Sequence, residues 1–375
     1  MMEFSKITVR QFTLLVVLFT VGSAILYVPG LLAGEAKQDA WLSALFGSGV
    51  GVLIAFLLKT LAARFPNLSL PEYSEKILGK WLGRAVSAIF FLYFFLLSAQ
   101  LLRDVGDFML AQIMPETPLY AILLLFLAVV LLAVHSGLET IARAVEVFFP
   151  LLVLLVLVLF VGLLPKMHIE HLLPVLEFGY KPIVRASLPF IAVPFLQLSV
   201  FLVIMPAVTQ AKEAGRALVL GTLSGALFLV LFTTFCLLVM GVGLTASKAY
   251  PSYALAMQIH IGEIFQRVES MMAILWLLCI FFKLSLCFYA SIRFYANTFK
   301  ITEAKPLLLP LGLILVVLAI IIYPSVAFTI AIVQMAFAHF LPIGFVIPLV
   351  LLVVAYARRI TGRERLTGSR KGGVH

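Results

Sequence analysis

The chain has 375 residues, of which 63% are hydrophobic and only 12% are charged, and its mean hydropathy is +1.16. An ordinary soluble domain carries about 25% charged residues, so this composition excludes a water-soluble fold and makes lipid the solvent for most of the chain. The formal net charge of +10 lies at helix ends and on a basic tail, which favours positively charged cytoplasmic loops over nucleic-acid binding.

Ten apolar runs are candidates for membrane helices, since a crossing needs about 20 apolar residues. They cover residues 12–33, 41–63, 85–112, 119–135, 147–164, 187–207, 217–243, 270–296, 307–324 and 333–356. The first run is too long for the hydrophobic region of a signal peptide, so we expect a retained helix. The N-terminal side carries 19 lysines and arginines against six on the opposite side, so we expect both termini in the cytoplasm.

Three connections between these runs are long enough to hold structure of their own. Residues 69–80 predict a short cytoplasmic helix, with a proline near its start and a glycine near its end. Residues 165–186 and 244–269 lie outside, and 249–269 predict an amphipathic helix over the mouth of the protein. We expect one membrane domain over 1–360 and a basic, disordered cytoplasmic tail over 361–375.

The first and sixth runs are interrupted. Span one contains Gly22 and then the pair Pro29–Gly30, and span six contains Pro189, Pro194 and Pro206. These spans occupy corresponding positions in two halves of five, about 8–164 and 183–356. Broken helices at matching positions predict an inverted-repeat fold whose ligand site lies where the breaks meet, because unwound backbone must face a ligand or a polar cavity. The alternative is that glycine and proline only kink these helices.

Several sequence blocks, in this order and spacing, resemble the spore germination proteins of the germinant-receptor B-subunit type. That family lies in the amino acid–polyamine–organocation transporter superfamily. The first block is VGSAILYVP at 21–29, and the longest is RVESMMAILWLLCIFF at 267–282. Between them lie ARAVEVFFP (142–150), HLLPVLEFG (171–179) and the YP at 250–251. The blocks extend over almost the whole chain.

The resemblance implies an all-α membrane protein of about ten helices in a five-plus-five inverted-repeat transporter fold with broken helices 1 and 6. It also implies the nutrient-sensing subunit of a receptor in the inner membrane of a bacterial endospore. Its partners would be a larger membrane A subunit and a C-subunit lipoprotein, and its ligand a small nutrient, often an amino acid. The alternative is a secondary transporter that couples amino acid uptake to protons or sodium. The ligand-binding residues would be Gly22, Ser23, Ala24, Tyr93, Leu97, Leu196, Gln197, Lys283 and Leu284.

Lys283 lies near the middle of span eight, where a charge costs several kcal/mol on insertion scales. We expect it to face a cavity, a partner or a ligand, although no acidic residue near the middle of another span stands out as its partner. Three interpretations remain open. Lys283 contacts an anionic ligand, replaces a coupling cation, or is neutral and hydrogen-bonded to backbone carbonyls.

Five residues of span three share one helix face, because they recur at intervals of three and four. They are Tyr93, Leu97, Gln100, Asp104 and Asp107. Tyr93 has ordinary helix packing as its alternative role. For Arg103, Asp104 and Asp107, nearer the outer end, a gate for ligand entry is possible, but a solvated helix end is the preferred interpretation.

The histidines and cysteines of the chain do not indicate a catalytic site. His168 and His171 are interpreted as loop residues because no further metal ligand stands nearby, and His339 as a packing residue with a proton-linked role as the alternative. The cysteines at 236, 279 and 287 lie in apolar runs and are interpreted as packing residues. No phosphate-binding loop, nucleophile elbow or dinucleotide fingerprint occurs, so we expect no enzyme and no cofactor.

Overall fold

The computed structural model describes residues 6–259, 268–322 and 326–362. Within these ranges, nine apolar helical stretches are long enough to cross a membrane, and the shorter apolar helix Val9–Val21 begins span one. One of the nine, Ala24–Arg64, turns at Lys37–Asp39 and therefore supplies the end of span one and all of span two. The described residues thus make ten crossings, as predicted.

Seven helices form the first five spans and the connection between spans two and three. They are α1 (Val9–Val21), α2 (Ala24–Ala36), α3 (Ala40–Arg64), α4 (Leu70–Leu78), α5 (Lys80–Gln112), α6 (Leu119–Ser136) and α7 (Leu138–Leu163). The predicted short helix is α4, which the proline near its start and Gly79 at its end delimit. Helix α7 begins nine residues before the predicted span, because its first turns carry charges and hydropathy alone misses them.

The described residues from 180 onwards form nine helices. They are α8 (Tyr180–Ala192), α9 (Phe201–Ile204), α10 (Ala211–Ser247), α11 (Pro251–Ala256), α12 (Glu269–Phe299), α13 (Leu308–Ile322), α14 (Val326–Gln334), α15 (Ala336–Leu341) and α16 (Ile347–Ala357). A π-helical turn, Pro342–Val346, joins α15 to α16 within span ten. Of the predicted amphipathic helix over 249–269, the structure forms α11, and residues 260–267 lie outside the described residues.

Both predicted breaks are present. Span one is interrupted between α1 and α2 at Gly22, whose φ of 20° and ψ of −119° are not helical. Span six is interrupted at residues 193–195, after which the chain continues as a 3₁₀ turn, Leu196–Val200, before α9. Pro194 explains the second break, because its ring removes a backbone donor and clashes with the preceding turn.

The spans pack as two groups that meet at the breaks. In one group, α10 lies against α1, α2 and α3, and α3 lies against α8. In the other, α5 lies against α6, α12 and α13. Helix α1 joins the groups through its contact with α12.

Span two packs against the broken span six at a pair of glycines one helical turn apart. A Cβ at Gly47 would lie 2.5 Å from the Phe190 ring, and a Cβ at Gly51 would lie 2.3 Å from the Phe195 ring. Real Cβ atoms do not approach so closely, so the rings occupy the space that the missing side chains leave. Small residues of this kind allow membrane helices to pack closely.

Span seven receives the broken span one in the same way. A Cβ at Gly221 would lie 2.7 Å from Val16 Cβ, and a Cβ at Gly225 would lie 2.7 Å from Thr20 Cβ. Spans two and seven are second in their halves, and spans six and one are first. The two contacts are therefore equivalent across the halves, as an inverted repeat requires.

Both ends of the described chain lie on one face, here called the terminal face. Arg64 at the end of α3 donates from Nε to the Ile360 carbonyl at 2.7 Å, and its guanidinium lies 4.1 Å from the centre of the Tyr356 ring. On the same face, Ile7 pairs as a short parallel bridge with Val208, just after span six. The other side of the molecule is called the opposite face.

Candidate functional site

Lys283 lies where the two helix breaks meet. Its side chain projects from the middle of α12 and is completely buried. Its Nζ donates to Ser23 Oγ at 3.2 Å and to the Val193 carbonyl at 3.3 Å. One residue belongs to the break in span one and the other to the break in span six. A single ammonium therefore bridges both interruptions.

The stem of Lys283 passes directly over Gly22. A Cβ at position 22 would lie 2.5 Å from Lys283 Cδ and 2.8 Å from the Phe19 carbonyl oxygen. The Lys283 ammonium also lies 5.0 Å from the centre of the Phe19 ring, within the range of a cation–π interaction. Glycine at position 22 is therefore required for Lys283 to reach its partners.

A second polar side chain lies one helical turn after Ser23 on α2, at Tyr27. The buried Asp104 lies on the stretch of α5 that faces Lys283 on α12, because ring contacts join the two helices on either side of the pair, Phe108 to Trp276 and Phe94 to Phe294. The sequence predicts no acidic residue near Lys283, whereas the structure places Asp104 opposite it; no ion pair joins the two among the described residues.

Asp104 belongs to a buried charged segment of α5. Asp104 is 9% exposed, and Arg103 and Asp107 are each 7% exposed. Arg103 Nε donates to Asp107 Oδ1 at 2.7 Å. The preferred interpretation of these residues as a solvated helix end is therefore wrong. The reason is tertiary: α5 packs against α12, and Phe108 packs against Tyr250 and other aromatic residues of that region.

A cavity of about 840 Å³ lies at the opposite face. Its walls come from α2, α8, the end of α10 and residues 334–339, and Tyr27 is one of its lining residues. At its rim, Arg185 Nε and Glu35 Oε1 are 3.2 Å apart and join α8 to α2. His339 lines the cavity, and its Nδ1 is 2.9 Å from the Met335 carbonyl oxygen.

The other predicted site residues separate into two regions. Ala24 and Leu284 are completely buried next to Ser23 and Lys283 in the chain. Tyr93, Leu97, Leu196 and Gln197 are buried too, but no described hydrogen bond, ion pair or ring contact links them to Lys283. Tyr93 instead packs edge-on against Phe340, with ring centres 5.5 Å apart.

Leu196 lies against the π-helical turn of span ten. A Cβ at Gly344 would lie 2.2 Å from the Leu196 carbonyl oxygen, so only glycine fits there. Among the described residues, the Tyr93 hydroxyl and Gln197 Oε1 are buried without a hydrogen-bond partner. The predicted set therefore forms a centre at Gly22, Ser23 and Lys283 and a second region beside span ten.

Sequence reasoning missed Phe19, Tyr27 and Val193 as members of the centre. Phe19 precedes Gly22 by three residues and Tyr27 follows Ser23 by four, so helical spacing could have indicated both. Val193 contributes only its backbone carbonyl, which no side-chain pattern identifies.

The histidines of the loop between spans five and six make structural contacts. The His168 backbone N–H donates to the Leu238 carbonyl, and His171 Nδ1 is 2.9 Å from the same oxygen. Within the described part of the chain, no group of three histidine, cysteine or acidic residues could hold a metal ion. The three cysteines are buried and free, as their interpretation as packing residues requires.

Comparison with known sequences identifies relatives for most of the chain. Residues 6–328 match a family described as Spore germination protein. The chain is 29% identical over 327 residues to Spore germination protein KB of Bacillus subtilis (strain 168), and the match covers 86% of each protein.

Two solved transporters share the fold. Mhp1, a nucleobase-cation-symport-1 family transporter with bromovinylhydantoin bound, superposes with a TM-score of 0.67 at 11% identity, over 96% of this chain and 80% of that one. MhsT in complex with L-phenylalanine superposes with a TM-score of 0.66 at 14% identity, over 94% of this chain and 99% of that one. These likenesses confirm the predicted transporter fold with two inverted five-helix repeats and broken helices 1 and 6.

Proposed function

Because the chain belongs to the spore germination protein family, we propose that it is the nutrient-sensing subunit of a germinant receptor. The ligand is a small nutrient such as an amino acid, and it binds where the breaks of spans one and six meet. The observation that supports this proposal most directly is that Lys283 Nζ contacts Ser23 of one break and Val193 of the other. A ligand that contacts this ammonium changes the position of one five-helix half of the fold relative to the other.

The chain is a multi-pass membrane protein, and the members of its family are not enzymes. The proposed ligand-binding residues are those that the sequence predicts, with Lys283 in contact with an anionic group of the nutrient. The likeness to MhsT supports an amino acid ligand, because that protein holds L-phenylalanine in the same fold. A buried ammonium and nearby unwound backbone suit a carboxylate.

The proposed receptor includes a membrane A subunit and a lipoprotein C subunit in the inner membrane of the endospore. Both termini lie in the cytoplasm, so the terminal face is cytoplasmic and the cavity opens on the outer side. The membrane domain comprises residues 1–360 with repeats at about 8–164 and 183–356, and the tail is 361–375. The excess of lysine and arginine on the terminal side supports this orientation.

Ligand binding by the purified, full-length protein tests this function. A panel of the twenty protein amino acids, a hexose and a nucleoside is added in turn, and the melting temperature is measured. A ligand at one hundred times its dissociation constant adds about 2.7 kcal/mol of apparent stability. No shift with any member would contradict a nutrient-sensing role.

The alternative function is coupled amino acid transport, because both solved structures named above belong to the transporter fold. Uptake of a labelled amino acid into proteoliposomes that contain the protein alone separates the two. A sensing subunit binds the amino acid without accumulating it under a proton or sodium gradient. Gradient-dependent accumulation would favour the transporter.

A further inference from the structure

Two ionisable side chains of opposite sign are buried on facing helices. Asp104 lies on α5 and Lys283 on α12, and these two helices pack against each other. Ring contacts from Phe108 to Trp276 and from Phe94 to Phe294 lie on either side of the pair, yet no ion pair joins the two among the described residues. Burying two ionisable groups without direct pairing is costly, and a ligand that pairs with both would remove that cost.

The Asp104 carboxylate has unused acceptor capacity. Its Oδ2 is buried and has no hydrogen-bond partner in the described part of the chain. The neighbouring cation does not supply one, because Arg103 Nε is directed to Asp107 Oδ1. A carboxylate has about four acceptor positions, so Asp104 can accept several donors from a bound molecule.

The Lys283 ammonium can also donate stronger hydrogen bonds than the ones it makes. It carries three N–H donors, and the described hydrogen bonds direct it to Ser23 and Val193 at 3.2 and 3.3 Å. Both distances are long for a charge-assisted bond, which is ordinarily about 2.7–2.9 Å. Exchange of one of these contacts for a carboxylate would therefore strengthen the hydrogen bonding of the ammonium.

Tyr27 links the cavity to the helix that carries Ser23. Its side chain lines the cavity, and Ser23 precedes it by one turn at the start of the same helix, α2. The cavity therefore reaches the helix whose first turn contacts Lys283.

We infer that Asp104 is the specificity-determining residue of the ligand site: it binds an ammonium group of the ligand while Lys283 binds its carboxylate. The inference rests on the proposed function and adds to it a residue on α5 and a requirement for two opposite charges in one ligand. A neutral sugar or a simple carboxylate satisfies at most one of the two buried groups. Leaving the other unsatisfied is unfavourable, so the site selects zwitterions.

The test compares charge variants of the full-length protein in detergent. Binding is measured for each protein amino acid, its deaminated acid, its N-acetyl derivative, a hexose and a nucleoside. The variants are Asp104→Asn, the conservative Asp104→Glu, and the control Asp39→Asn. Asp39 is a matched control because it is also a buried aspartate and accepts hydrogen bonds from the Leu176 backbone, away from the site.

The decisive readout is a ratio of affinities within one protein, so partial loss of stability does not affect it. The wild type and Asp39→Asn should bind at least one free amino acid at least about tenfold more tightly than its deaminated acid or N-acetyl derivative. Asp104→Asn should bind the amino acid and its deaminated acid with similar affinity, and Asp104→Glu should restore part of the preference.

Three results would overturn the inference in distinguishable ways. If Asp104→Asn keeps the wild-type preference, Asp104 does not bind the ammonium although the site stands. If only the hexose or the nucleoside binds, the protein senses nutrients without a two-charge site. If no member of the panel binds the wild type, the proposed function fails together with the inference.

Discussion

Adding one methyl group at Gly22 should separate Lys283 from both helix breaks. The Cβ of an alanine would lie 2.5 Å from Lys283 Cδ, whereas carbon atoms in contact prefer about 3.5–4.0 Å. The Lys283 stem must therefore move by about 1 Å, because the second close neighbour, the Phe19 carbonyl, is backbone and cannot yield as easily. Both hydrogen bonds of Nζ are already long and would be lost.

The expected cost combines two terms. Overpacking of a filled site costs about 1–3 kcal/mol, and an unsatisfied charged donor adds about 1–3 kcal/mol. We therefore expect Gly22→Ala to lower the free energy of unfolding by about 2–6 kcal/mol and to weaken ligand binding. Thermal melting in detergent and binding titrations on the same preparation measure both.

A matched control and a compensating variant make this prediction specific. Gly49 has no heavy atom within 4 Å of its virtual Cβ, so Gly49→Ala should leave melting and binding unchanged or slightly raise stability. Replacing Lys283 by methionine should cost less in the Gly22→Ala background than in the wild type, because Gly22→Ala has already broken the hydrogen bonds of Nζ. Wild-type melting and wild-type ligand affinity for Gly22→Ala would refute the assigned position of the Lys283 stem.

Three further outcomes follow from the same contacts. Lys283→Met alone should destabilise the protein, because it leaves the Asp104 carboxylate without a nearby opposite charge. A double-mutant cycle with Asp104→Asn should give a coupling free energy of about 1–3 kcal/mol between the two residues. Additive effects of the two substitutions would contradict the pairing. Gly51→Leu should prevent stable folding, since its Cβ would lie 2.3 Å from the Phe195 ring, and well-folded protein by size-exclusion chromatography would disprove this packing. Tyr73→Phe should raise stability by about 1 kcal/mol because the Tyr73 hydroxyl is buried without a partner in the described residues. Burial raises the pKa of Tyr73 well above its ordinary range, so the wild type loses stability as the pH rises above about 10, and melts of both proteins at pH 8 and 10.5 should diverge.

The breaks in spans one and six were predictable because their cause is local. Pro194 lacks a backbone donor, and Gly22 accepts a conformation outside the helical region whatever packs around it. The paired glycines at 47 and 51 and at 221 and 225 are equally visible in the sequence. Their meaning depends on which aromatic or β-branched side chain enters the space, and that requires the packing of distant spans.

The charged residues of span three show where the sequence was insufficient. The spacing of Tyr93, Asp104 and Asp107 correctly places them on one helix face, but it does not reveal whether that face meets water or another helix. The structure buries the face because α5 lies against α12. Helical periodicity therefore predicted the face, while the neighbouring helix decided its environment.

The sequence by itself determined that the chain is an integral membrane protein, how many times it crosses the membrane, and where two of its helices break. Those properties depend on hydrophobic length, charge and backbone chemistry, which act within a single segment. Only the tertiary structure decided that Lys283 joins the two breaks and that the buried Asp104 faces it from α5. These relations join residues on different spans, and they depend on how the helices pack rather than on any one segment.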